Sequence, residues 1–351
     1  MIHKTAYILS AWAVIAMTTA CAPSASSTDI PAALKGEPPM NITTPRQMSK
    51  EGIPYTADTT ASAVMADPYF RGFGPLLFPT QVQSHPNLTL GRMEEALPWY
   101  HYIHAERTVS IVNEMHRRAA QGETFFYDIY TEEEKRQDPE KRHTGLFFFR
   151  GRPGGKTAVI SAGGGFVYVG AMQDSFPHMQ ALARKGYNAF ALIYRPGAET
   201  ACEDLARTLV FLHEHAEEFH ISMDGYSLWG GSAGARMAAW VGSLGTAAFG
   251  QPPVPPPAAV IMEYTGLSQV FGSEPPTYAV VGTADTIASY RVMERRIKAI
   301  QSMGVPAKIE VIPGLPHGFG LGEGTAAEGW LDRAAAFWEE NASRQNPQPA
   351  R

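Results

Sequence analysis

From residue 157 onward, short apolar runs alternate with longer stretches of helical periodicity, and this alternation narrows the fold more than any other feature of the chain. The strand candidates are 157–161, 188–194, 226–229, 258–263, 277–281 and 307–312, and helical patterns cover 174–185, 200–217, 233–243, 286–303 and 325–341. Strands separated by helices build βαβ units, because a parallel pair needs a crossover of that length. Ahead of them, 125–130 and 145–150 read as a β-hairpin with a long charged connection. The expected architecture is an α/β fold: a mostly parallel eight-stranded sheet with helices on both faces. Gly186 and Gly304 each follow a helical pattern where a left-handed C-terminal cap sits, which supports this register.

In an open parallel sheet, ligands bind beyond the carboxyl ends of the strands, so chemistry is sought there. After the third strand candidate comes Ala162-Gly163-Gly164-Gly165-Phe166, after the fifth Gly230-Gly231-Ser232-Ala233-Gly234, after the seventh Asp285 and after the eighth His317. Gly-x-Ser-x-Gly between a strand and a helix places a serine hydroxyl on a sharp, crowded turn whose flanking positions must lack bulk. On its own the pattern also fits an ordinary turn. A triple glycine lets main-chain N–H groups approach a ligand oxygen, and a loop histidine with an aspartate beside it supplies an oriented base. The order Ser, Asp, His and the strand-end placement agree with one mechanism.

From about Phe125 to the C-terminal end the chain resembles the α/β-hydrolase superfamily. It is most similar there to the esterase branch related to hormone-sensitive lipase and to bacterial carbohydrate acetyl and feruloyl esterases. The resemblance implies the α/β-hydrolase fold, with Ser232 as nucleophile, His317 as general base and then acid, and Asp285 as its orienter. The oxyanion hole is then the N–H groups of Gly164, Gly165 and Ala233. Tyr194-Arg195 matches a Tyr-Arg pair of the branch in which the arginine is structural. Two departures stand out. Ala162 occupies the place of the histidine in the branch's His-Gly-Gly-Gly, and the Ser-to-Asp spacing leaves no room for a lid inserted after the sixth strand. Cover over the site is therefore expected from the aromatic region around Tyr69 to Tyr102. Glu263, at the end of the sixth strand, is the competing candidate for the acid.

The first 21 residues read as an export signal: His3 and Lys4, an apolar segment over 6–17, then small residues around Cys21. The segment is shorter than the about 20 residues that span a bilayer. Cys21 resembles the lipidated cysteine of a bacterial lipoprotein box, although Thr18 stands where that box has leucine; cleavage near Ala20 or Ala22 is the competing reading. Residues 22–61, rich in Ser, Thr, Pro and Ala, read as a tether. Residues 62–122 form an aromatic and helical region with a helical pattern over 99–120, and 123–343 the catalytic domain. Localisation is expected in the cell envelope, periplasmic or extracellular, with membrane attachment through Cys21 if it is lipidated.

With 351 residues and a formal net charge of −5, the chain has ample core-forming material and lacks the basic footprint of nucleic-acid binders. Cys202, the only cysteine besides Cys21, reads as a small buried hydrophobe. Of the histidines at 101, 104 and 116 and at 213, 215 and 220, His213 and His215 face different sides of one helix, and no cysteine cluster joins either group, so a zinc site is not expected. The expectation is a serine hydrolase of carboxylic esters that needs no metal or cofactor and acts on a small-molecule or polysaccharide ester. The alternatives are a peptidase on the same fold and a non-catalytic surface protein that binds glycan or lipid.

Overall fold

The structure, a computed structural model, describes residues 55–345. The expected export signal, Cys21 and most of the expected tether lie outside them. Eight strands form one sheet: β1 (Phe126–Tyr127), β2 (Gly145–Phe149), β3 (Lys156–Ser161), β4 (Asn188–Ile193), β5 (Ser222–Gly231), β6 (Ala259–Glu263), β7 (Thr277–Gly282) and β8 (Ala307–Ile312). Their order is β1-β2-β4-β3-β5-β6-β7-β8. Only the β1–β2 and β2–β4 pairs are antiparallel, and the other five are parallel. Strands β2, β4, β6 and β7 are buried along their whole length, as expected of a sheet covered on both faces. Phe148 on β2 stacks on Phe190 of β4, with centroids 4.2 Å apart.

The longer helices are α1 (Ala105–Ala120), α2 (Phe176–Arg184), α3 (Ala198–Glu214), α4 (Ala233–Leu244), α5 (Tyr290–Ser302) and α6 (Trp330–Gln345). Gly186 and Gly304 follow α2 and α5 with φ of +93° and +78°, the left-handed caps expected of them. Four helix starts differ from the periodicity. Helix α1 begins six residues after Trp99, because residues 97–104 form a non-helical strap in which the Tyr100 N–H closes a turn on the Leu97 carbonyl and Tyr102 takes φ +59°. The expected helix over 174–185 is broken at Ser175 (φ −126°), between a short turn Ala171–Asp174 and α2. Helix α5 begins at Tyr290 because the preceding turn closes on the Asp285 side chain, and α6 begins at Trp330 after a turn in which Thr325 Oγ1 accepts the N–H of Ala327.

The N-terminal aromatic region shares the core of the sheet domain. Phe73 packs against Phe125, Phe126 and Phe147, with ring centroids 4.9 to 5.6 Å apart. Residues 55–61, which the composition assigns to the tether, carry fixed contacts: the Tyr55 N–H donates to Asn113 on α1, and Thr60 caps the helical turn Ala61–Met65. Cys202 is buried in α3 as a free thiol, pushed up to about 12 by burial and then by the acidic side chains around it.

Candidate active site

Strand β5 runs to Gly231 and helix α4 starts at Ala233, so the whole turn between them is Ser232. Its backbone sits at φ +50°, ψ −110°, a region costing a non-glycine residue on the order of 1–3 kcal/mol. The flanking glycines follow from the close approach of strand and helix. A Cβ on Gly230 would strike the Gly234 backbone, and one on Gly234 would strike the carbonyl of Ser161 at the end of β3. The Ser232 N–H is held by the carbonyl of Glu263, 2.9 Å away.

The strained turn aims Ser232 Oγ at His317 Nε2, 3.0 Å away. His317 lies in the loop after β8, its side chain buried, and its Nδ1 is 2.7 Å from Asp285 Oδ2. An ionised carboxylate only accepts, so Nδ1 carries the proton and Nε2 is left as an acceptor facing the hydroxyl. The other oxygen of Asp285 accepts the N–H groups of Ile287 and Ala288 at 2.8 and 2.7 Å, which fixes the carboxylate plane. The residue expected either to orient a histidine or to close a backbone turn does both.

The glycine loop lies across from Ser232. Gly164 and Gly165 have φ of +130° and +63°, and their N–H groups, with that of Ala233, donate to no other group among the described residues. A cavity of about 120 Å³ is lined by Trp99, Tyr100, Gly164, Gly165, Ser232, Ile287 and His317. The loop's residue 162, alanine in place of the expected histidine, is braced from outside: Tyr194 Oη donates to its carbonyl at 2.6 Å. Arg195 turns away into ion pairs with Asp138, Glu203 and Asp204, a structural anchor as the resemblance implied.

Glu263, the competing acid, does not reach His317. Its carboxyl is fully buried and meets His178 Nε2 at 3.1 Å. Burial pushes it up to about 7, against the opposing pull of His178. For His178 burial works toward the neutral form, but Glu263 and Asp174 outweigh it and raise the imidazole.

Sequence reasoning missed three contributors. The strap residue His101 donates its main-chain N–H to the carbonyl of Gly318 at 2.9 Å and its Nδ1–H to that of His317 at 2.7 Å. Asp174 and Tyr264 form a buried pair beside the glycine loop, and the Tyr264 ring stands edge-on to His317 at 5.1 Å. The only signal for them was position, since Tyr264 follows a strand end and Asp174 follows the glycine loop. The other histidines are scattered, with His116 among Tyr55, Tyr69 and Phe70 and His215 against Phe211. Among the described residues no group of three or more His, Cys, Asp or Glu is placed to hold a metal ion.

An eight-stranded, mostly parallel sheet with a serine on the turn after its fifth strand defines the α/β-hydrolase fold, and the chain has that fold. It is similar to the esterase branch of that superfamily. A family model described as BD-FAE matches residues 153–253, which include the glycine loop and Ser232 but neither Asp285 nor His317. Among solved structures, the acetyl ester-xyloside bifunctional hydrolase of Caldicellulosiruptor lactoaceticus superposes with a TM-score of 0.51 at 18% identity, over 56% of this chain and 88% of that one. A propionate-bound thermophilic esterase of the Planctomycetes species Thermogutta terrifontis gives 0.50 at 20% identity, over 56% and 89%. An α/β-hydrolase enzyme from a Medee basin deep-sea metagenome library, MGS-M1, gives 0.50 at 18%, over 57% and 93%. No curated protein matches the chain in sequence.

Proposed function

We propose that the protein is a serine esterase that cleaves carboxylic esters with short acyl groups through an acyl-enzyme. One observation carries the reading: Ser232 Oγ, His317 Nε2 and Nδ1, and Asp285 Oδ2 form a continuous hydrogen-bonded series opening on a cavity of about 120 Å³. Ser232 Oγ attacks the ester carbonyl while His317 takes its proton. The carbonyl oxygen becomes an oxyanion facing the N–H groups of Gly164, Gly165 and Ala233. The same imidazole protonates the departing alcohol, then activates the water that releases the acid, with Asp285 holding the tautomer and the imidazolium charge. This chemistry needs no metal or organic cofactor.

A cavity of about 120 Å³ favours acetyl- to butyryl-sized acyl groups. The cavity opens to solvent past Ile287, which is 57% exposed, leaving space for a large alcohol such as a sugar. The acetyl ester-xyloside hydrolase among the structural neighbours fits that reading. We read residues 1–21 as an export signal, so the substrate is an ester met in the cell envelope or outside the cell, with Cys21 as the attachment point if it is lipidated.

The test is hydrolysis of p-nitrophenyl acetate by the wild type and Ser232→Ala, with a fluorophosphonate probe alongside. Ser232-dependent turnover and labelling are expected. Labelling without ester turnover, with cleavage of aminoacyl amides instead, points to the peptidase alternative. Neither labelling nor turnover points to a glycan- or lipid-binding protein.

A further inference from the structure

Asp174 has no place in the proton relay, yet its carboxyl is fully buried within the site. It ends the turn Ala171–Asp174, where the chain breaks before α2. Three donors from three parts of the molecule converge on it. The N–H of Gly163 donates to Oδ2, the Tyr264 hydroxyl at the end of β6 donates to Oδ1, and the Tyr100 hydroxyl of the strap reaches Oδ2 at 3.3 Å. Burial and then the Asp174 charge hold both phenols well above their ordinary range, so both remain donors. The carboxyl also fills the space between the glycine loop and the nucleophile's strand. A Cβ on Gly231 would lie 2.5 Å from both its oxygens, and one on Gly163 would lie 2.9 Å from Oδ2 and 3.0 Å from Ser232 Cβ.

A buried carboxylate is costly to desolvate, and an apolar side chain of similar volume fills such a space at least as well. What only the carboxylate does here is fix the relative placement of three elements by accepting from all of them. The peptide it holds is the one immediately before the two glycines that line the cavity.

We propose that Asp174 is a positioning residue for transition-state stabilisation: it locks the Gly163 peptide so that the Gly164 and Gly165 N–H groups converge on the oxyanion, and it ties that loop to the strap through Tyr100 and to the His317 environment through Tyr264. The inference rests on the serine esterase reading. It assigns the strap a part in kcat, beyond that of a cover.

The experiment compares wild type, Asp174→Ala, Asp174→Asn, Tyr264→Phe and Ser232→Ala on p-nitrophenyl acetate, with inhibition by ethylboronic acid, whose serine adduct places a hydroxyl at the oxyanion position. Asp174→Ala is expected to lower kcat by about 10²-fold, the effect of losing an oxyanion donor. KM should stay within about twofold and the boronate Ki should rise by a factor similar to the loss in kcat, the split that marks an interaction made in the transition state. Asp174→Asn keeps one oxygen for the Gly163 N–H and should recover to within about tenfold of wild type. Unchanged kcat, a change confined to KM, or equal loss in Asn and Ala overturns the inference. If Asp174→Ala gives no cooperative melt, Tyr264→Phe decides: a loss in kcat of about 3- to 10-fold at constant KM supports the inference, and unchanged kcat overturns it. Turnover that survives Ser232→Ala overturns the esterase reading, and this inference with it. Turnover lost in Ser232→Ala but intact in Asp174→Ala overturns this inference alone.

Discussion

Asp285 and His317 come from loops after adjacent strands, β7 and β8, and meet at 2.7 Å through a single carboxylate oxygen. The second oxygen is taken by the N–H groups of Ile287 and Ala288, so the carboxylate cannot rotate without giving up two main-chain bonds. Asp285→Asn places an amide N–H or a lone oxygen against Nδ1 and disturbs the tautomer that leaves Nε2 free. We expect kcat on p-nitrophenyl acetate to fall by roughly 10²- to 10⁴-fold with little change in KM, read from steady-state kinetics. Glu263→Gln, by contrast, should leave kcat within a few-fold of wild type, since His178 and not His317 is its partner.

The Glu263–His178 pair sets a pH dependence of stability. Glu263 is raised from 4.5 to about 7 by burial, so the folded protein holds a proton that the unfolded chain releases. Its contribution is complete below about pH 4.5 and is lost as pH rises toward 7. His178, also raised, adds loss in the same direction above its ordinary 6.5. The Tm from calorimetry should therefore decline between pH 5 and pH 8, and Glu263→Gln, which mimics the protonated acid, should flatten that decline. An equally steep decline in the variant would contradict the assignment.

Trp99 closes one side of the cavity and stacks on Tyr168, with centroids 5.4 Å apart. Removing the indole lengthens the space available to an acyl chain. Trp99→Ala should move the preference across a p-nitrophenyl ester series from C2–C4 toward C6–C8, seen as a rise in kcat/KM for the longer esters. The same chain-length profile in both proteins would refute a role for the strap in selectivity.

Gly234 packs without clearance against the end of β3. Gly234→Ala forces strand and helix apart, an overpacking cost of at least about 1–3 kcal/mol. A lower urea midpoint and loss of fluorophosphonate labelling should appear together, because the same displacement moves Ser232.

Tyr194 Oη holds the Ala162 carbonyl, a partly redundant brace for the glycine loop. Tyr194→Phe should cost about 1 kcal/mol of stability, measured by urea unfolding, and lower kcat only a few-fold, far less than Asp174→Ala.

How much of this was legible in the sequence follows the range of the interactions. Strand positions and the chemistry at the strand ends are local patterns, and the eight strands fall where the apolar runs lie. The elbow was legible because two glycines flank its serine. Helix starts were less so, because a side chain competes for the first turn: Asp285 takes the N–H groups that periodicity assigned to α5. The Asp174–Tyr264–Tyr100 contacts join residues 74 to 90 positions apart, and no spacing rule encodes such a meeting. Helical periodicity also extended α1 back across the strap, where the single positive φ of Tyr102 breaks a helical path.

His101 grips two consecutive carbonyls of the loop that carries the base. Residues 97–104 and 317–318 therefore behave as one splinted unit. A designer who wishes to retune this site by grafting another strap must transplant that grip along with the aromatic face, or the His317 imidazole will lose its alignment even though neither Ser232 nor Asp285 has been changed.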